Sequence, residues 1–260
     1  MSLLKVDNVT RRFGGLAAVD EVSFEIAPGM VSAIIGPNGA GKTTLFNLIS
    51  GFLPPTAGRI VFEGQDITAL APHRIAARGI VRTFQLVQLF PDLTALQNVE
   101  AGCHLRGKGG LWAALARTPA ARRELGAAAS AARELLAFVG LQGRENVPAG
   151  ALTYGQQRLL EVARAMAANP KLLLLDEPAA GLNAVETEHL AEVIRSLITR
   201  GITVLLIEHD MSLVMRIASH IVVLDFGRKI ASGSAEQVKA DPAVLEAYLG
   251  GVETGEGAHA

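Results

Sequence analysis

The chain has 260 residues, half of them hydrophobic and only 5% aromatic, with 24 Lys and Arg against 25 Asp and Glu for a formal net charge of −1. That length suffices for one large core or a core with an added lobe, built mainly from Leu, Ile, Val and Ala. Near-neutrality without a long basic block lacks the footprint of non-specific nucleic-acid binding, and no apolar run approaches the roughly 18–20 residues that span a bilayer.

The start, Met1-Ser2-Leu3-Leu4-Lys5-Val6-Asp7, is a strand pattern carrying charges rather than a signal peptide, so the chain is expected to be soluble and to stay where it is made. A single cysteine, Cys103, rules out an internal disulfide and a cysteine-rich metal site, and it sits in a helical pattern as a small apolar residue. Leu4-Val6-Asn8 alternates with Lys5-Asp7-Val9, and Val22-Phe24-Ile26 with Ser23-Glu25, which predicts a small antiparallel unit with a turn at Phe13-Gly14-Gly15. After Pro28-Gly29, the nearly uninterrupted apolar run Val31–Ile35 suits a strand buried on both faces.

That strand enters Gly36-Pro37-Asn38-Gly39-Ala40-Gly41-Lys42-Thr43-Thr44, and Leu45, Phe46, Leu48 and Ile49 follow at helical spacing. Strand, glycine-rich loop and helix together give G-x-x-x-x-G-K-[ST] the context of a phosphate site. Glycines let successive backbone N–H groups turn towards a polyphosphate, the helix start adds positive dipole, Lys42 would reach the outer phosphates, and the Thr43 hydroxyl would hold Mg²⁺.

Pro54-Pro55-Thr56-Ala57-Gly58 breaks the chain before a strand at Arg59–Phe62 that ends at Glu63-Gly64. From about Gln85 to Leu152 the chain is rich in Ala, Leu and Arg, with helices predicted over Ala95–His104 and Thr118–Val139 and a flexible link at Arg106–Gly110. Thr118 stands at an N-cap position, Pro119 at the first helical position and Gly140 just past the end. This stretch is expected to form a helical lobe inserted into an α/β core. The core resumes with strand Lys171–Leu175, helix Ala184–Arg200, strand Ile202–Ile207, helix Ser212–Ala218 and strands at Ile221–Asp225 and Lys229–Ala231. Ser234 to Gln237 has capping-box spacing, Asp241-Pro242 opens a last helix towards Leu249, and the glycine-rich tail from Gly250 is expected to be disordered. Strands alternating with helices imply a mostly parallel, covered sheet.

Four apolar residues, Leu172–Leu175, end in Asp176 and Glu177, which a buried strand would carry to the sheet's C-terminal edge. There Asp176 would complete the Mg²⁺ shell and Glu177 would polarise a water attacking a γ-phosphate. His209 follows the apolar run Val204–Ile207 and Glu208 at another strand end, and Gln85 follows Val81-Arg82-Thr83-Phe84. A single histidine is usually structural or a surface group, and a glutamine after a short strand has no chemistry of its own that demands notice. Leu152-Thr153-Tyr154-Gly155-Gln156-Gln157-Arg158 opens a helix from Gln156 to Ala168, whose first N–H groups and Thr153 hydroxyl form a second anion-binding helix start.

These motifs, in this order over nearly the whole chain, resemble an ABC-type ATPase, the nucleotide-binding subunit of ATP-driven transporters. Gly36–Thr43 resembles the Walker A loop, Gln85 the Q-loop, Leu152–Gln156 the signature, Leu172–Asp176 Walker B with Glu177 as catalytic glutamate, and His209 the switch histidine. Phe13 sits where the family places an aromatic that stacks on adenine. The resemblance implies a P-loop NTPase (RecA-like), mostly parallel sheet core with an N-terminal antiparallel β subdomain and an inserted α-helical subdomain at about 86–168, all within one domain over 1–250 before a tail at 251–260.

It further implies catalytic roles for Glu177, His209, Lys42 and Gln85, and Mg²⁺ ligation by Thr43, Gln85 and Asp176. ATP would contact Phe13, Gly36, Pro37, Asn38, Gly39, Ala40, Gly41, Lys42, Thr43 and Thr44, and, across a head-to-tail dimer, Thr153, Gly155 and Gln156 of the other subunit.

The chain departs from the family pattern at Tyr154, in place of a signature glycine, at Asn183, where many members have Asp, and at Phe13, in place of the commoner tyrosine. Tyr154–Arg158, Pro178–Asn183, Ile207–Met211, Arg82–Gln85 and Glu246–Gly250 are similar to the branched-chain amino-acid uptake group. That group implies a second, homologous or identical ATPase subunit, two membrane permeases and, indirectly, a substrate-binding protein, with the chain peripheral on the cytoplasmic face of a bacterial or archaeal inner membrane and no nucleic acid bound. Urea or amide uptake and lipopolysaccharide export are alternative transport roles. A soluble nucleotide-switched clamp is disfavoured by the neutral charge and the lack of a long heptad insertion, and a binding module without turnover by Glu177, Lys42 and His209.

Overall fold

The computed structural model describes residues 2–83, 85, 87–103 and 119–249. The expected link at 106–110, the cap at Thr118, and the tail from Gly250 lie outside these residues.

Two antiparallel strands open the chain, β1 (Leu4–Phe13) and β2 (Leu16–Ile26). They are longer than alternation predicts, and Phe13 is the last strand residue, paired with Leu16 across a two-residue turn, rather than part of the turn. Irregularities in the pairing beyond Val6 explain the difference: each resets the alternation, so polar Arg11 and Arg12 stay in the strand. β3 (Val31–Ile35) leads through the glycine loop into α1 (Lys42–Ile49), and β4 (Ala57–Phe62) pairs with β1. A two-residue strand, β5 (Gln65–Asp66), and a short helix, α2 (Pro72–Ala77), both absent from the sequence expectation, precede β6 (Ile80–Arg82). Neither is long enough to show a period.

Helices α3 (Ala95–Cys103), α4 (Pro119–Phe138) and α5 (Tyr154–Ala167) lie between β6 and β7 in the chain and pack on one another. Gly140, at φ 79°, closes α4: its N–H bonds Ala137 O and the Leu141 N–H bonds Leu136 O, the paired bonds of a Schellman motif. The chain then runs β7 (Leu172–Asp176), α6 (Ala184–Thr199), β8 (Thr203–Ile207), α7 (Met211–Ile217), β9 (His220–Asp225), β10 (Arg228–Gly233), α8 (Ala235–Ala240) and α9 (Pro242–Leu249). The capping box expected at Ser234 forms with Gln237.

A four-stranded antiparallel sheet, β2-β1-β4-β5, stands beside a six-stranded sheet ordered β10-β9-β3-β8-β7-β6, parallel except for β10. The parallel strands are apolar on both faces, and their side chains divide by parity. Ile34, Leu172, Leu174, Leu205 and Ile207 join α1 and the antiparallel sheet in one core. Ala33, Ile35, Leu173, Leu175, Val204 and Leu206 join the remaining helices in the other. Because β3, β6, β7, β8 and β9 run the same way, every loop that leaves them emerges on one edge. No helix among the described residues is long and apolar enough to cross a membrane.

Candidate nucleotide site

The glycine loop leaves the centre of that edge. Gly36 (φ 150°) and Gly41 (φ 96°) lie against neighbouring backbone: a Cβ on Gly36 would stand 2.1 Å from Leu224 O, and one on Gly41 2.3 Å from Ala18 O. Only glycine fits either place. Gly41 is also the N-cap of α1 and supplies no side-chain bond, so the first-turn N–H groups carry no side-chain cap. The side chain of Lys42 folds back over the loop, donating from Nζ to Gly36 O (2.7 Å) and Pro37 O (2.9 Å). Burial holds its pKa below the ordinary lysine value, with the Glu177 charge opposing the shift. An uncapped helix start, a glycine-only cradle and a buried ammonium fit a polyphosphate. Thr43 is exposed beside them, as are Asn38 and Gly39.

The ends of β6, β7 and β8 supply the acidic half. Arg82 and Asp176 form a nearly buried ion pair, Nη2 to Oδ2 at 2.7 Å, and Arg82 Nη1 also donates to Asn47 Oδ1 (2.6 Å) and Ser50 Oγ (3.1 Å) at the far end of α1. Asp176 is thereby fixed relative to the phosphate-loop helix. One residue on, Glu177 adopts φ 47°, a left-handed conformation that is strained for a residue with a Cβ. Its Oε2 accepts from Gln85 Nε2 at 3.0 Å and lies 3.8 Å from His209 Nδ1. Gln85, Asp176, Glu177 and His209 thus lie together at one edge, with Lys42 close enough for the Glu177 charge to act on it. Glu208, to which the sequence assigns no role, is buried there and bonds three backbone N–H groups.

The signature turn is a separate feature. Thr153 caps α5 in a reciprocal box with Gln156, so both side chains are engaged within the turn, and among the described residues no hydrogen bond joins it to the phosphate loop. Gly155 is buried, and a Cβ there would meet Glu186 Oε1 at 2.4 Å, so a larger residue would have to displace that side chain. The ring of Tyr154 covers Gly181 and lies 5.3 Å from the Arg158 guanidinium, while Arg158 Nη2 donates to the Gln85 carbonyl at 2.5 Å. Tyr154 therefore joins the signature turn to the segment after Glu177, a packing role that a glycine there lacks. Asn183 caps α6, accepting from the Val185 and Glu186 N–H groups, a job Asp would do equally well. Phe13 is half-exposed with the Arg11 guanidinium 4.7 Å over its ring, and β2, the other strand of its hairpin, meets the phosphate loop at Ala18.

Sequence reasoning missed Arg82 and Glu208 as site residues. Their signal was a charge directly bounding an apolar strand run, which is visible but does not say which partner it faces.

Residues 19–180 match the family model for the ABC transporter, and residues 228–254 that for the branched-chain amino acid ATP-binding cassette transporter. The high-affinity branched-chain amino acid transport ATP-binding protein BraF of Pseudomonas aeruginosa is 48% identical over 95% of this chain and 98% of its own length. Among solved structures, an ATP-binding cassette of an ABC transporter in its ADP conformation superposes with a TM-score of 0.84 at 36% identity, over 96% of this chain and 99% of that one. A cassette in a dimeric post-hydrolysis state, bound to ADP and Pi, gives 0.75 at 26% identity over 89% and 98%. Sequence, fold and site agree: the chain belongs to the ATP-binding subunits of the ABC transporter family, in the branched-chain amino acid group.

Proposed function

We propose that this chain hydrolyses ATP to energise import of branched-chain amino acids, as one of two ATPase subunits bound to the cytoplasmic face of a pair of membrane permeases served by a substrate-binding protein. The observation that carries the reading is the convergence of Gln85, Asp176, Glu177 and His209 on the sheet edge beside Lys42. The relative's name and the closing segment's family match support the substrate class.

In this reading the Lys42 ammonium leaves the Gly36 and Pro37 carbonyls for the outer phosphates, and the α1 N-terminus takes the remaining phosphate charge. Thr43, Gln85 and Asp176 offer the hydroxyl, amide and carboxylate oxygens that suit Mg²⁺, a hard cation that takes few protein ligands and is completed by substrate phosphates. Bound there, the ion would neutralise charge building on the phosphates. Glu177 orients the attacking water and takes its proton, with Gln85 and His209 fixing the carboxylate from two sides. The half-site is completed by Thr153, Gly155 and Gln156 of the second subunit, and Phe13 stacks on the adenine. The lobe α3–α5, about residues 86–168 of a single domain, and the Gln85 segment dock on a permease.

Vesicles carrying the permeases and both ATPases are the direct assay. ATP-dependent accumulation of radiolabelled leucine is expected with the wild-type chain and is expected to fall by about 10²- to 10⁴-fold with Glu177→Gln, the range of a lost general base. Accumulation of urea, with none of leucine, would replace the substrate assignment.

A further inference from the structure

At the end of β8 lies a carboxylate with no part in the hydrolysis scheme above. Glu208 is 1% exposed, yet no lysine or arginine among the described residues lies within ion-pair distance of it. The other buried acids of this edge and of α5 are paired, Asp176 with Arg82 and Glu161 with Arg158. Glu208 instead accepts from backbone: Oε1 from the Ala179 N–H (2.8 Å), Oε2 from the His209 N–H (3.1 Å) and at 3.5 Å from that of Asp210. Burial pushes its carboxyl above the ordinary range, and these three donors together with His209 oppose the shift. A residue that costs desolvation and forms no salt bridge with lysine or arginine is poorly explained by stability.

Its effect is geometric. Ala179 is two residues past Glu177, and His209 directly follows Glu208, so one side chain ties the turn after β7 to the turn after β8. Glu177 needs such a restraint: its left-handed backbone costs roughly 1–2 kcal/mol and persists only where neighbours over-determine it. Two bonds from the end of β8 supply that restraint, the Glu177 N–H to Ile207 O (3.0 Å) and the Ala179 N–H to Glu208. Between the two turns stands the 3.8 Å approach of Glu177 to His209.

We propose that Glu208 is a positioning residue for ATP hydrolysis, its buried carboxylate clamping the two turns so that Glu177 and His209 keep their mutual placement. The inference rests on the proposed roles of Glu177 and His209 in hydrolysis. Glutamine is the informative replacement: its oxygen still accepts from Ala179, but its NH₂ then faces the His209 and Asp210 N–H groups, donor against donor.

The test compares Glu208→Gln and Glu208→Asp with Glu177→Gln in the full chain, assembled with the companion ATPase, measuring kcat and the affinity for a fluorescent ATP analogue. Glu208→Gln is expected to lose about 10- to 100-fold in kcat, the scale of a small misplacement of reacting groups, with nucleotide affinity within about threefold of wild type. Glu208→Asp keeps both acceptor oxygens on a shorter stem and is expected to recover part of the loss. A kcat within twofold of wild type for Glu208→Gln, or equal losses of kcat and nucleotide affinity, overturns the proposal. Should Glu208→Gln not fold, Glu208→Asp decides: an unchanged kcat overturns it, and a reduced kcat at unchanged affinity supports it. If Glu177→Gln abolishes turnover while Glu208→Gln keeps kcat within twofold of wild type, the clamp alone fails. If Glu177→Gln itself retains turnover, the site reading fails and the clamp with it.

Discussion

Lys42 illustrates how much one side chain can be asked to do at this site. Its ammonium is held by two carbonyls of its own loop, and burial already makes the charged form less favourable than in water. Exchanging neutral carbonyl oxygens for anionic phosphate oxygens is therefore downhill for that charge. Charge-assisted bonds contribute about 1.5–3 kcal/mol, so Lys42→Ala should weaken ATP affinity about 10- to 100-fold in an equilibrium titration. Unaltered affinity would remove Lys42 from phosphate binding. The arginine at position 82 shows the limit of reading residues singly. It reaches across 94 positions to Asp176, and a sequence displays both charges without displaying the pair. The same holds for Arg158 with the Gln85 carbonyl, 73 positions apart, and for Glu208 with Ala179, 29 apart. Motif residues were legible because their function is written in spacing of a few residues, whereas their supports are contacts made by the fold.

At the scale of elements, the parallel strands do the assembling. Four strands, the apolar runs Val31–Ile35, Leu172–Asp176 and Thr203–Ile207 and the short Ile80–Arg82, lie adjacent in the sheet, so the loop after each is delivered to one edge. Both-face burial was legible from the unbroken apolar runs. β5 and α2 were not, because two and six residues are too few for a period to declare itself. The hairpin turn was set one residue early because irregular pairing interrupts the alternation used to find it. Caps were read more reliably, since their chemistry is local: Ser234 and Gln237 form the expected box. Asp210 caps α7, accepting from the Ser212 and Leu213 N–H groups directly after His209. The Ser212 hydroxyl above all, with those N–H groups and Arg216, holds its carboxyl below the ordinary range against the opposing effect of burial. A depressed folded pKa means the stabilisation is present above the ordinary aspartate value of about 3.9 and is lost as pH falls through the folded value. Asp210→Ala should thus cost about 1 kcal/mol in denaturant unfolding at pH 7 and progressively less as the pH falls below the ordinary aspartate value of about 3.9, and a cost independent of pH would refute the cap.

On the scale of the whole molecule, one chain presents two helix starts proposed to bind phosphate, the glycine loop before α1 and the Thr153 turn before α5, which share no hydrogen bond among the described residues. The first lies at the edge of the six-stranded sheet, the second at the head of the helix that packs with α3 and α4. A second subunit placed head to tail would bring the missing start to each loop, and the solved cassette dimer with ADP and Pi is a precedent among related chains. Alone, the chain is expected to bind ATP and hydrolyse it poorly. Sedimentation velocity of Glu177→Gln with ATP and Mg²⁺, both by itself and mixed with the companion ATPase, tests this most directly. An ATP-dependent dimer is expected in at least one of these samples, and it should dissociate when ADP replaces ATP. A monomer in both, at saturating ATP, would contradict the shared site.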